Sequence, residues 1–139
     1  MITKKHTATL LILMLVGLTG LVNAQMYTTI KAQVPFDFVA NGKTMPAGEC
    51  LVVVLGTGRR LLSISSGKQH VYGLPIADES PNPDRKTALV FHRYGDQYFL
   101  VSIKHAGGIG YRLPVSKLEN ELRARNADEK VFTLLASAE

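Results

Sequence analysis

The sequence has no tryptophan and a single cysteine, Cys50, in 139 residues. One cysteine excludes an intramolecular disulfide and every zinc set built on cysteine pairs. Cys50 opens the apolar run 50–55 and reads as a buried thiol acting as a small hydrophobe. Histidine is scarce as well. Beyond His6 there are only His70, His92 and His105, none at H-x-x-x-H spacing, so no metal site is expected. The formal net charge is +5, and no block of like charge occurs. Lysine and arginine form no stripe interleaved with stacking aromatics, so nucleic-acid binding is not expected. Ser63, Ser65 and Ser66 lack a G-x-S-x-G elbow, and Gly56-Thr57-Gly58 lacks the ending of a P-loop. No catalytic residue and no cofactor are singled out.

What is present begins at the N-terminus. Lys4, Lys5 and His6 precede a mostly apolar stretch, 10–21, and Val22-Asn23-Ala24 then offers small residues to a signal peptidase. That is the three-part layout of a secretory signal. The expectation is a signal over residues 1–24 and one exported domain over 25–139, periplasmic or extracellular. Retention of the apolar stretch as an anchor is the alternative. Gln25 at the cleavage point argues against a lipoprotein. No second stretch approaches the ~18 apolar residues of a membrane-spanning helix. A transmembrane barrel is not expected either, because the strands are short and no hairpin face is consistently polar.

The remaining chain reads as strands and tight turns. Residues 27–39 alternate in part, with Ile30, Ala32, Val34, Phe36 and Phe38 on one parity, and Pro35 marks a bend or an edge. Asn41-Gly42 and Met45-Pro46-Ala47-Gly48 are turns. The run 50–55 reads as a central strand buried on both faces. Residues 61–65 and 70–76 are further strands, and 77–85 is one extended loop. The strongest local signal is a hairpin, 87–94 and 97–104, around Gly95-Asp96. It sets Tyr94 opposite Gln97, Arg93 opposite Tyr98, His92 opposite Phe99 and Phe91 opposite Leu100. One face then carries Leu89, Phe91, Arg93, Tyr98 and Leu100. The other carries Val90, His92, Tyr94, Phe99, Val101 and Ile103. Gly107-Gly108 turns into a strand over 109–113. Ser116 and Glu119 read as a capping box opening a short helix, with Leu118 and Leu122 as its packing face and Asn126 as its stop. Residues 131–135 are a last strand. The fold expected is a mostly-β single domain, a small barrel or sandwich of about seven or eight antiparallel strands with one short helix.

Candidate binding residues follow from this layout. His92 shares a face with Tyr94 and Phe99. It reads as a structural histidine, with a ligand or proton-transfer role as the alternative. Asp78 and Glu79 lie on the extended loop, and Tyr111 and Arg112 on the turn after Gly108. Loops on rigid sheets carry function, so these two segments are the expected contact surfaces. The aromatics Phe36, Phe38, Phe91, Tyr94, Tyr98, Phe99 and Tyr111 read as core rather than as a ligand box.

The stretches Val34-Pro35-Phe36-Asp37-Phe38, Pro46-Ala47-Gly48-Glu49 and Phe91-His92-Arg93-Tyr94-Gly95-Asp96-Gln97-Tyr98-Phe99-Leu100 resemble a group of small exported β-rich proteins. That group, common in acidobacteria and related soil bacteria, has no assigned activity. The resemblance implies an exported bacterial β domain and brings no catalytic residues. Cys50 stands where an aromatic is more usual in that group. The leading expectation is a non-enzymatic exported binding or envelope-associated module whose partner is an envelope protein. The first alternative is a carrier of a small apolar ligand held inside the barrel. The second is a hydrolase using His92.

Overall fold

The computed structural model describes residues 28–56, 60–107, 109–125 and 128–138. The signal-like segment 1–24, Thr57-Gly58, Gly108 and Asn126 lie outside those residues. Strands are β1 (Thr28–Val34), β2 (Phe38–Ala40), β3 (Lys43–Met45), β4 (Gly48–Leu55), β5 (Leu61–Ser66), β6 (Gln69–Gly73), β7 (Ile76–Asp78), β8 (Ala88–Tyr94), β9 (Gln97–Lys104), β10 (Gly110–Arg112), β11 (Glu129–Leu135) and β12 (Ser137–Ala138). The one helix described is α1 (Lys117–Ala124).

The chain is mostly β, as expected, in two sheets. The first runs β12-β1-β4-β5-β6. The second runs β11-β8-β9-β10-β7, with β2 also set against β9 and β3 against β2. The twelve strands described exceed the seven or eight expected because β2, β3, β7 and β12 span only two or three residues. Segments that short show no period in sequence. Pro35 ends β1 in a bend, and Leu74-Pro75 separates β6 from β7. Proline has no N–H to give to a ladder.

Two connections close the sandwich at its sides. The β2–β3 hairpin turns at Asn41 (φ 48°) and Gly42 (φ 80°), the left-handed pair of a type I′ turn. It reaches to the first sheet, where Asn41 Nδ2 donates to the Tyr72 carbonyl at 2.7 Å and Lys43 Nζ to the His70 carbonyl at 3.0 Å. Ser66 Oγ likewise donates to the Pro46 carbonyl at 2.6 Å. On the other side the chain leaves β11 of the second sheet, passes Ala136 and pairs as β12 with β1.

The core lies between the sheets. From the first come Ile30, Val34, Cys50, Val52, Leu62 and Ile64; from the second Phe38, Met45, Leu89, Phe91, Leu100 and Ile103. Each fully buried large side chain removes apolar surface worth roughly 1.5–3 kcal/mol. Phe36, in the bend after β1, stacks on Tyr98 with centroids 3.7 Å apart and meets Phe91 edge-on at 5.1 Å. The Arg93 guanidinium lies 5.4 Å from the Tyr98 ring centroid. This closes one end of the core with a cation over an aromatic face.

The hairpin register is as the sequence predicts from Tyr94↔Gln97 back to Phe91↔Leu100. A bulge then intervenes. Val90 pairs with Ser102 and Leu89 with Ile103, leaving Val101 as the extra residue. The bulge moves Ile103 to the core face with Leu89, correcting its expected place beside Val90. β4 also differs from expectation. Cys50, Val52 and Val54 are buried, but Leu51, Val53 and Leu55 are half-buried, so the strand has one core face rather than two.

Candidate functional site

Two groups of candidate residues come together in different places. Asp78 and Glu79 line a surface cavity of about 380 Å³ with Ser80, Asn82, Lys104, His105, Ile109 and Gly110. The first wall is the end of β7 and the segment after it. The second is the end of β9 and the turn into β10. The expected loop 77–85 is shorter than it reads, because Ala77 and Asp78 pair with Tyr111 and Gly110. That pairing draws the two walls together.

The walls are also tied by side chains. Asn82 Nδ2 donates to the Lys86 carbonyl at 3.1 Å and the His105 carbonyl at 3.4 Å. Thr87 Oγ1 accepts from the Ala106 N–H at 3.2 Å. Asp78 Oδ1 accepts from the Ser80 N–H at 3.0 Å. The Ser80 hydrogen bonds hold the Asp78 carboxyl below its usual range, aided by the positive charges of Arg112 and Lys104. Gly110 fits close to its neighbours, since a Cβ there would stand 3.0 Å from the Ile103 carbonyl oxygen. The cavity thus holds an ionised carboxylate, further carboxylate, ammonium and imidazole groups, and the half-exposed Ile109 at its lip. It can take a polar ligand or a protein side chain. Tyr111 and Arg112 do not act as a pair. Tyr111 is buried and accepts a hydrogen bond from Arg60, whereas Arg112 is exposed on the opposite face beside Asp78.

The second group is His92, Tyr94 and Phe99, on the outer face of the second sheet. The sequence places them on one face, and the register agrees. What the sequence reading missed is the group they meet. α1 begins at Ser116, whose Oγ accepts from the Glu119 N–H at 3.1 Å. The Glu119 side chain does not fold back to complete a capping box. It turns onto the sheet and is 2% exposed. His92 Nδ1 lies 2.9 Å from Glu119 Oε1, the Tyr94 hydroxyl donates to the same oxygen at 3.1 Å, and Arg123 Nη2 reaches it at 3.4 Å. A second carboxylate, Glu129 of β11, stands 3.3 Å from His92 Nδ1 and 3.8 Å from Arg123 Nε. Burial raises the Tyr94 hydroxyl above its ordinary pKa, opposed by Arg123 and reinforced by the Glu119 charge.

The expected Leu118/Leu122 packing face is therefore corrected in part, since Leu122 is half-buried but Leu118 is not. Leu118 is 42% exposed, and the buried residue of the helix is Glu119. The polar donors of His92 and Tyr94 on β8 select a carboxylate rather than a leucine at that point. A carboxylate on Nδ1 orients the His92 ring, which is the orienting half of a hydrolytic arrangement. Among the described residues no serine or cysteine side chain hydrogen-bonds His92. The serine–histidine contact that exists is elsewhere, Ser63 Oγ to His70 Nε2 at 3.1 Å, without a carboxylate on His70 among the described residues. No group of three or more histidine, cysteine or acidic side chains among the described residues is arranged to hold a metal ion.

Taken together, fold and sites define a β-sandwich domain with a polar surface cavity and a charged helix-docking network. No family model matches the chain, and no curated protein or solved structure is detectably similar to it.

Proposed function

We propose that the protein is an exported binding module of the bacterial envelope that engages its ligand or partner through the cavity lined by Asp78, Glu79, Lys104, His105 and Ile109. The observation that carries this reading is the convergence of the two expected contact segments on one cavity braced by Asn82 and the β7–β10 pairing. Rigid strands under both walls set the charged groups in place before a partner arrives, which lowers the ordering cost of binding. The signal-like N-terminus supports export, and so does the resemblance to small exported β-rich proteins. Core side chains such as Phe38, Met45 and Phe91 lie buried between the sheets, and the reading rests on the surface cavity.

The test uses Ile109→Arg, which places a bulky cation at the cavity mouth on an exposed position. The protein and this variant are recovered from the native host under non-denaturing conditions and weighed by native mass spectrometry. The reading expects a bound species on the unsubstituted protein and at least about tenfold less on Ile109→Arg, a loss of about 1.4 kcal/mol. Equal recovery on both, with the variant folded, contradicts it.

A further inference from the structure

The two walls of the cavity differ in charge. Asp78 and Glu79 stand on the β7 side, Lys104 and His105 on the β9 side, and Ile109 at the lip. Opposite charges on neighbouring walls can close on one another, as Arg123 and Glu119 do on the helix. Across this cavity they stay apart. Among the described residues, neither Glu79 nor Lys104 makes an ion pair or a side-chain hydrogen bond, and the His105 ring makes none.

Asp78 is the committed member of the set. It accepts from Ser80, and the charges of Arg112 and Lys104 act on it from beyond ion-pair distance. Glu79 is then the carboxylate left for a ligand, and Lys104 and His105 are the donors left on the facing wall. The backbone keeps the walls in place. Asp78 is held opposite Gly110 by the β7–β10 pairing, and Asn82 ties its wall to the Lys86 and His105 carbonyls. Lys104 ends β9 opposite Ala88 of β8.

Lys104 and His105 are half-buried, so water reaches them only in part. An ammonium group in such a place lacks some of its hydration, and a ligand carboxylate restores it through a charge-assisted hydrogen bond. A ligand with that charge alone leaves Glu79 unmatched, and a purely cationic ligand leaves Lys104 unmatched. A molecule carrying both charges complements both walls. Size points the same way. At about 380 Å³ the cavity is near the lower end of the roughly 300–1,000 Å³ of ligand sites, which fits a small molecule.

We propose that the cavity binds a small zwitterion, an amino acid or a short peptide with free termini. Lys104 and His105 take its carboxylate, Glu79 takes its ammonium group, and Ile109 meets its apolar side chain. This assignment rests on the reading of the cavity as the binding face and names the ligand for it.

Amide chemical-shift titration of the folded protein tests it with two zwitterions, leucine and alanyl-leucine. Each is compared with its C-terminal amide, which keeps only the ammonium charge, and its N-acetyl form, which keeps only the carboxylate. At least one zwitterion should shift the amides of residues 78–80 and 104–107 and bind at least about tenfold more tightly than either singly charged form, the factor one charge-assisted hydrogen bond supplies. Lys104→Gln should reduce that zwitterion to the affinity of its amide. Glu79→Gln should reduce it to the affinity of its N-acetyl form. The proposal is overturned if neither zwitterion shifts these amides, or if both substitutions, in folded protein, leave zwitterion binding unchanged. Singly charged forms binding as tightly at the same amides also overturn it, while leaving the cavity as the binding face. That broader reading fails separately, on equal recovery of the bound species by Ile109→Arg.

Discussion

Removing the Tyr94 hydroxyl probes the network at its most buried donor. Tyr94→Phe deletes the hydrogen bond to Glu119 Oε1 and leaves the ring against Phe99, whose centroid lies 5.8 Å away. A hydrogen bond to a buried carboxylate is worth about 1.5–3 kcal/mol, against about 1 kcal/mol for a neutral pair. The Tyr94 oxygen also accepts from Arg123 at 3.5 Å, a longer and weaker contact. Tyr94→Phe should therefore cost about 2 kcal/mol. Glu119→Ala removes the acceptor of three donors and should cost about 2–4 kcal/mol, tempered because His92 is 22% and Arg123 46% exposed. In the Glu119→Ala background the tyrosine hydroxyl has lost its partner, so Tyr94→Phe should cost little there. The coupling energy is then about 1–2 kcal/mol. Urea unfolding of the four proteins at pH 6, with unchanged m values, measures it. Independent sites add within about 0.5 kcal/mol, so a coupling below that refutes the argument that Glu119 holds the helix through Tyr94.

Other predictions rest on single residues. Burial pushes the Cys50 thiol from 9.0 up to about 12, so a thiol-specific reagent should react at the rate of unfolding and not before. Because that pKa is raised, the stability linked to the neutral thiol is complete below pH 9 and is lost as pH climbs toward 12. Cys50→Ala should flatten this part of the alkaline stability curve, measured by denaturant titration. Gly42→Ala places a Cβ at φ 80° in the β2–β3 turn and should lower stability by about 1 kcal/mol, read as a lower denaturation midpoint. Gly110→Ala sets a Cβ 3.0 Å from the Ile103 carbonyl and should destabilise by about 1–3 kcal/mol while loosening the cavity walls. A melting curve together with exchange of the β10 amides checks both parts. The Asp78 carboxyl is held low by Ser80, so its contribution is present above the ordinary carboxylate pKa of 3.8 and fades as pH falls below it. Asp78→Asn should remove that part of the acid dependence of unfolding.

The hairpin was the most legible part of the chain. Gly95-Asp96 fixed the turn, Gly95 adopts φ 61°, and four cross-strand pairs follow the predicted register. The Val101 bulge was not legible, because an extra apolar residue in an apolar strand leaves no mark on the sequence. β4 misled for a related reason. Six consecutive apolar residues read as doubly buried, yet only alternate ones reach the core. The helix start was readable from Ser116, but its packing face was not. Leu118 and Leu122 satisfy the helical period, and only the distant donors on β8 explain why Glu119 turns inward. The cavity joins Asp78 to Ile109, residues that local patterning cannot bring together. β7 and β10 make that join; the strand over 109–113 was expected, but three-residue β7 is too short to show a period.

The central claim is that the cavity is the face the molecule presents to its partner. A photoactivatable crosslinking residue placed at Ile109, and separately at Lys68 in the exposed β5–β6 turn, tests it directly in the native host. The account predicts a defined crosslinked species from position 109 and none from position 68. Equal crosslinking from both positions, or a defined species from position 68 alone, contradicts it.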